Sequence, residues 1–199
     1  LVLVIQETKR CAAIIRRLLD FAREKTPEKT SADVNGLVEE CTQLINQPAQ
    51  LADIEIVTEL AEMLPPVWMD SDLVKQVIMN VLVNAQHAIG RGGSIRVTTR
   101  LSGDCPGVTK ENGGEPMVQI SIRDDGCGIE EKDLTRIFDP FFTTKGVGKG
   151  TGLGLSVSHG TIEAHRGTIE VESKVGEGTE FRICLPTKSR KSIEAENAE

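Results

Sequence analysis

The stretch VQISIRDDGCGI, residues 118–129, decides the fold. Val118, Ile120 and Ile122 alternate with polar residues, the two-residue period of a strand with one apolar face. Asp124, Asp125, Gly126 and Gly128 then break the pattern, since Asp and Gly are turn residues. Upstream, Ser94–Leu101 reads as a strand with Ile95, Val97 and Thr99 on one face. The run Ser102–Pro116 between them is rich in Gly, Pro and polar residues, which makes it a long hairpin loop. Strands pair as hairpins here as often as they alternate with helices, and that does not suit a doubly wound sheet.

Outward from this hairpin, Asp70 or Ser71 caps a long helix running to about Ile89, stopped by Gly90–Gly93. Before it come a helix from Asn35 to about Asn46 and strands at Ile54–Leu60 and Val67–Met69. After the turn, the pattern predicts a short helix near Glu130–Ile137, a polar glycine-rich segment over Asp139–Gly150 and a helix from Gly152 to Ala164. Thr168–Val175 and Glu180–Leu185 form a final hairpin around the turn Gly176–Phe181. The expected fold is α+β: a two-layer α/β sandwich, a mixed sheet with helices on one face.

Leu1 to about Lys25 is helical in pattern, with Ile5, Thr8, Ala12, Ile15, Leu19 and Ala22 on one stripe. A lone helix of this length is marginal in water, so the stripe calls for coiled-coil or four-helix-bundle packing. Pro27 ends it, and EKTPEKTSAD (residues 24–33) reads as a hinge. The chain thus divides into a bundle helix (1–27), a globular domain (28–187) and a charged tail (188–199).

The 199 residues are 39% hydrophobic and 27% charged, the balance of a globular protein. A net charge of −7 disfavours nucleic acid or anionic membrane as the main partner. Five scattered cysteines without a CxxC pair suit a reducing compartment rather than a disulfide framework or zinc site. No apolar run is long enough to span a bilayer, so any membrane attachment is expected upstream and the domain itself in the cytoplasm.

Four clusters carry chemistry. Asn80 and Asn84, four residues apart, share one face of the long helix amid Val77, Ile78, Val81, Leu82 and Val83. Their carbonyl oxygens suit a hard cation such as Mg²⁺, or cap a neighbouring strand. Asp124, Gly126 and Gly128 at a strand end can meet an exocyclic amine and a flat ligand, or simply make a turn. KGVGKGTGLGL (145–155) leads glycine-rich backbone into a helix start, where free N–H groups favour an anion; Lys145 and Lys149 add positive charge. Its lysine and hydroxyl are misplaced for a Walker A loop. The turn Gly176–Phe181 is, by itself, a plain hairpin loop.

In this order NVLVNA, DDGCGI, DPFFTTK and GTGLGL resemble the N, G1, F and G2 boxes of histidine kinases, within the wider family shared with gyrase, Hsp90 and MutL. ETKRCAAIIRRLLDFARE (7–24) resembles the second helix of the dimerisation and phosphotransfer hairpin, in the style of nitrogen-regulation kinases. The resemblance implies the Bergerat ATP-binding fold, ATP and Mg²⁺ as cofactors, and a response-regulator receiver domain as partner, with a homodimer built through the bundle helix.

The resemblance also implies roles. Asp124 would bind the adenine amino group, Gly126, Gly128 and Ile129 would shape that wall, and Thr179 would assist through water. Asn84 would ligate Mg²⁺, with Asn80 beside it near the phosphates. Gly150, Thr151, Gly152, Leu153, Gly154 and Leu155 would form the phosphate loop. Phe141 and Phe142 would anchor a mobile lid over Asp139–Gly150, from which Lys145 reaches phosphate. His87 stands where many members carry a phosphate-touching Lys or Arg; it either makes that contact pH-sensitive or is a helix histidine without a role.

His87, His159 and His165 all fall inside the ATP-binding part and none is followed by an acid, so the acceptor histidine and its base are expected outside this chain. A gyrase- or MutL-like ATPase would need a glutamate base on the Asn80–Asn84 helix, where Val77–His87 offers none. The remaining alternative is a scaffold with a vestigial nucleotide site.

Overall fold

A computed structural model describes residues 27–103, 105, 116–145 and 150–187. The bundle-helix expectation for residues 1–26, the tail and Lys149 lie outside these residues. The elements are β1 (Thr30–Ala32), α1 (Val34–Leu51), β2 (Ile54–Glu59), β3 (Val67–Met69), α2 (Ser71–Ile89), β4 (Gly93–Ser102), β5 (Met117–Asp124), α3 (Glu131–Leu134), α4 (Gly154–Ala164), β6 (Thr168–Lys174) and β7 (Gly178–Pro186).

Five strands form one mixed sheet in the order β2-β4-β5-β7-β6, with β2 parallel to β4 and the other pairs antiparallel. Register aligns Val97, Ile122, Phe181 and Val171 across the sheet, and Thr99, Ile120, Ile183 and Ile169 in the next row. These rows meet the buried stripes of α1 (Val38, Cys41, Ile45) and α2 (Val74, Ile78, Val81, Leu82), together with Ile162 of α4. Asp124 and Thr179 are paired at the end of the same apolar rows, so the core-facing surface finishes on two polar groups.

The opposite face is polar. Arg182 pairs with Glu172 and Glu180, Ser121 meets Glu180, and Arg100 Nη2 donates to Gln119 Oε1 at 2.9 Å. A sheet with one apolar and one hydrogen-bonded polar face is the two-layer arrangement expected from the hairpins.

Three local readings need correction. Thr30–Ala32, read as hinge, pairs antiparallel with β3, placing Ser31 opposite Trp68. Three polar-flanked residues carry no period that a sequence reading could use. The first helix runs on through Pro48 to Leu51. Proline leaves the Leu44 carbonyl without its helical donor, but Leu44 and Pro48 lie on the exposed face, while Ile45 and Ala49 are buried. The last helix begins at Gly154, two residues late, because Gly152 turns at φ 66°.

The cysteines also depart from expectation: Cys105 and Cys184 form a disulfide across a separation of 79 residues. Cys105 is thereby placed against Cys184 of β7, a proximity that no sequence spacing announces. Cys41 and Cys127 are free.

Candidate functional site

The site begins with α2, whose cap is built into the sequence. Asp70 accepts from the Leu73 amide at 3.1 Å, and Gly90 ends the helix with its N–H on the Gln86 carbonyl. Six apolar residues fix the helix against the sheet. Asn80, Asn84 and His87 consequently emerge on the neighbouring face, along one wall of a cavity of about 580 Å³.

Asn80 is tied to α4. Its Nδ2 donates to the Gly154 carbonyl (3.4 Å) and Ser158 Oγ (3.3 Å), and Ser158 is completely buried. Asn84 is different: its Oδ1 accepts from Lys145 Nζ at 3.0 Å. The same ammonium lies 3.1 Å from His87 Nδ1. Burial lowers the pKa of His87 and Lys145 alike, and the Lys145 charge lowers His87 further. His87 therefore faces Lys145 as a neutral acceptor.

The opposite wall is Asp124, at 4% exposure, next to Thr179 at 4%. Burial raises the carboxyl pKa, while the backbone N–H groups of Gly126 and Thr179 hold it down and Asp125 nudges it up. The Gly126 amide donates to Asp124 Oδ1 at 2.9 Å. The two aspartates divide their work: Asp125 turns away to accept from the Ser94 amide and hydroxyl at the start of β4. Gly126 sits so close to α2 that a Cβ would lie 2.6 Å from the Ala88 carbonyl carbon. Gly128 turns at φ 72°, and Ile129 N donates to Ser173 Oγ, which also meets Thr179 Oγ1 at 2.9 Å.

The third wall is the glycine-rich stretch. Gly152 accepts from the Phe141 amide at 2.9 Å, an approach that leaves no room for a side chain. Leu153, buried at the N-cap of α4, offers no side-chain acceptor to the first turn. Those amides are the donor set that an anion prefers at a helix start. Gly150, Thr151, Gly154 and Leu155 line the cavity beside them.

Fourteen of the expected residues thus share one cavity, and three stand behind it: Gly126, Leu153 and Phe141. The two phenylalanines separate. Phe142 packs against the core and under the Arg136 guanidinium, 4.8 Å from its ring centre. Phe141 is 60% exposed at φ 69°, so its side chain anchors nothing; its main chain does. Residues 146–149 of the expected lid are outside the described residues. Sequence reasoning missed Ser158 and Ser173, which brace Asn80 and Thr179; a single serine in a helix or strand carries no signal. It also passed over Thr143 and Thr144, which line the cavity from within DPFFTTK.

The family described as Histidine kinase-, DNA gyrase B-, and HSP90-like ATPase matches residues 69–189. The chain is 38% identical over 183 residues to the signal transduction histidine-protein kinase AtoS of Escherichia coli K12, covering 92% of this chain and 28% of that protein. It therefore spans well under half the length of the curated relatives it matches. The solved catalytic domain of histidine kinase ThkA superposes with a TM-score of 0.67 at 31% identity, covering 80% of this chain and 96% of that one. ThkA in complex with the response regulator protein TrrA gives 0.72 at 27% identity, over 94% of this chain and 50% of that one.

Proposed function

The chain belongs to the family of histidine kinase-, DNA gyrase B- and HSP90-like ATPases, and on that premise we propose that it is the ATP-binding catalytic part of a two-component sensor histidine kinase. The observation that carries this is the lining of one cavity by both a buried carboxylate (Asp124) and a set of amide groups (Asn84 and the start of α4). A purine with an exocyclic amine at one end and a triphosphate at the other matches that polarity.

In this reading Asp124 accepts from the adenine amino group, Thr179 stands beside it, and Gly128 and Ile129 let the ring lie against the main chain. The first-turn amides of α4 and the glycines before them receive the phosphates. Asn84 fits Mg²⁺ as a neutral oxygen donor to a cation that keeps phosphate and water as its other ligands. No cluster of three His, Cys, Asp or Glu that could hold a metal exists among the described residues. Bound Mg²⁺ would supply positive charge to the phosphates. Asn80 ties α2 to α4 through its Nδ2 and keeps its Oδ1 as a second oxygen donor beside Asn84.

The reaction is transfer of the γ-phosphoryl group to a histidine nitrogen: the bond to the ADP oxygen breaks as the N–P bond forms. None of the three histidines here suits the acceptor role. His165 has both ring nitrogens engaged, His159 stacks on Phe138 and faces Glu163, and His87 faces Lys145. The acceptor belongs to another part of the protein, on a bundle that also forms a homodimer, and the phosphoryl group passes on to an aspartate of a response-regulator receiver domain. Hydrolysis of the gyrase type is disfavoured because no acid of α2 lines the cavity.

No helix among the described residues is long and apolar enough to cross a membrane. We place the domain in the cytoplasm, where ATP is available and where the Cys105–Cys184 bond would be open to reduction.

Calorimetric titration of Mg-ATP into the chain and its Asp124→Asn variant tests this reading. Saturable binding that the substitution removes is expected. A folded wild-type chain that takes up no ATP would refute it.

A further inference from the structure

Lys145 is the only lysine or arginine among the described residues that line the cavity. Its ammonium donates to Asn84 Oδ1 at 3.0 Å and lies 3.1 Å from His87 Nδ1. Both partners are uncharged acceptors, and no carboxylate among the described residues pairs with it. A half-buried positive charge held only by neutral dipoles is under-compensated and favours an incoming anion. The oxygen it holds is also the one that the proposed function gives to Mg²⁺ at Asn84.

An ammonium and a divalent cation brought to that one oxygen repel each other at close range, so each weakens the hold of the other. The lysine stem, with its four rotatable carbons, can carry the charge elsewhere without moving the backbone. We propose that Lys145 is a built-in counter-cation of this site: it holds the Asn84 oxygen when no nucleotide is bound, and divalent metal and Lys145 act as alternatives there rather than as independent partners. When triphosphate arrives with metal, the metal takes Asn84 and displaces the ammonium from the site. When triphosphate arrives alone, Lys145 neutralises part of its charge from where it stands.

This inference rests on the proposed ATP site and makes a prediction that simple phosphate contact does not. Lysine and metal must be coupled antagonistically, so removing one increases the benefit of the other. The experiment is a four-way cycle of ATP affinity, with Mg²⁺ or with EDTA, in the wild-type chain and in Lys145→Met. Circular dichroism confirms the fold of both. In EDTA the variant should bind ATP about tenfold or more weakly, the loss of a charge-assisted contact. With Mg²⁺ the loss should be under about threefold, because metal already occupies the shared oxygen.

An equal loss under both conditions would make Lys145 an ordinary phosphate contact and overturn the inference. No loss in either would make it a bystander and overturn it as well. A wild-type chain that binds no ATP in any condition would bring down the proposed function, and this inference with it. Binding by the wild type with an additive cycle removes only the inference.

Discussion

His165 accepts the backbone amide of Asp70 through Nε2 at 3.0 Å, and its Nδ1 meets the Thr161 carbonyl at 2.7 Å. One imidazole, 2% exposed, therefore fastens the C-terminal end of α4 to the cap of α2, the two helices whose other faces form the cavity. The chain preceding β1 joins the same knot: Glu28 N donates to Asp70 Oδ2 and Lys29 Nζ to the Ala164 carbonyl. Only the tautomer with its proton on Nδ1 satisfies both bonds.

Protonating His165 would aim a second N–H at the Asp70 amide. Burial lowers its pKa, and Lys29 adds to that, against the Thr161 carbonyl and Asp70, which raise it. The unfolded chain then binds the extra proton first, so the contribution is complete above the ordinary histidine value and fades as pH falls through the lowered folded value. Urea unfolding should show a stability plateau near pH 7.5 and a decline below about 6.5. His165→Ala should cost about 1–3 kcal/mol at the plateau by stranding the Asp70 amide, and should flatten part of the acid decline. An unchanged slope in the variant would assign that decline to other groups.

Gly178 and Gly90 both have positive φ, 101° and 75°, but only one is crowded. A Cβ on Gly178 would stand 1.9 Å from the Asp124 carbonyl oxygen, whereas Gly90 has nothing within 4 Å. Gly90→Ala should therefore cost about 1–2 kcal/mol of backbone strain alone. Gly178→Ala must also push β7 from β5 beside Asp124, and should cost more than about 3 kcal/mol while weakening ATP binding. Equal melting temperatures for the two variants would contradict this.

The Cys105–Cys184 bond should make stability depend on reductant. Closing 79 residues of separation constrains the unfolded chain by at most about 4–5 kcal/mol. Dithiothreitol should lower the urea midpoint of the wild type and leave Cys105→Ser unmoved. Alkylation of the native protein should label exposed Cys127 and spare Cys41, whose buried thiol is pushed up to about 11. A midpoint indifferent to reductant would show that the bond adds nothing to the fold.

What could be read in advance was whatever has a period or a cap. The bounds of α2 follow from Asp70 and Gly90, and the hairpins follow from alternation around VQISIRDDGCGI. The site was legible because its glycines have no second use: Gly126, Gly128 and Gly152 each stand where a Cβ would meet main chain. What escaped has no local signature. Pro48 is tolerated because its turn of helix faces water, β1 exists only through its partner strand, and Cys105 meets Cys184 across a separation of 79 residues that leaves no local trace. Phe141 and Phe142 are identical in sequence yet opposite in exposure, since φ 69° at the first turns its ring outward.

That turn has one more effect. The bond from the Phe141 amide to the Gly152 carbonyl closes the main chain into a noose around the segment that bears Lys145. Both ends are pinned to the same spot, so the span between them can be lengthened without shifting either anchor. Doubling a loop's length raises its closure cost by only about 0.6 kcal/mol. The reach of the Lys145 charge is accordingly a quantity that insertions or deletions can retune while the sheet, the buried carboxylate and the amide wall stay as they are.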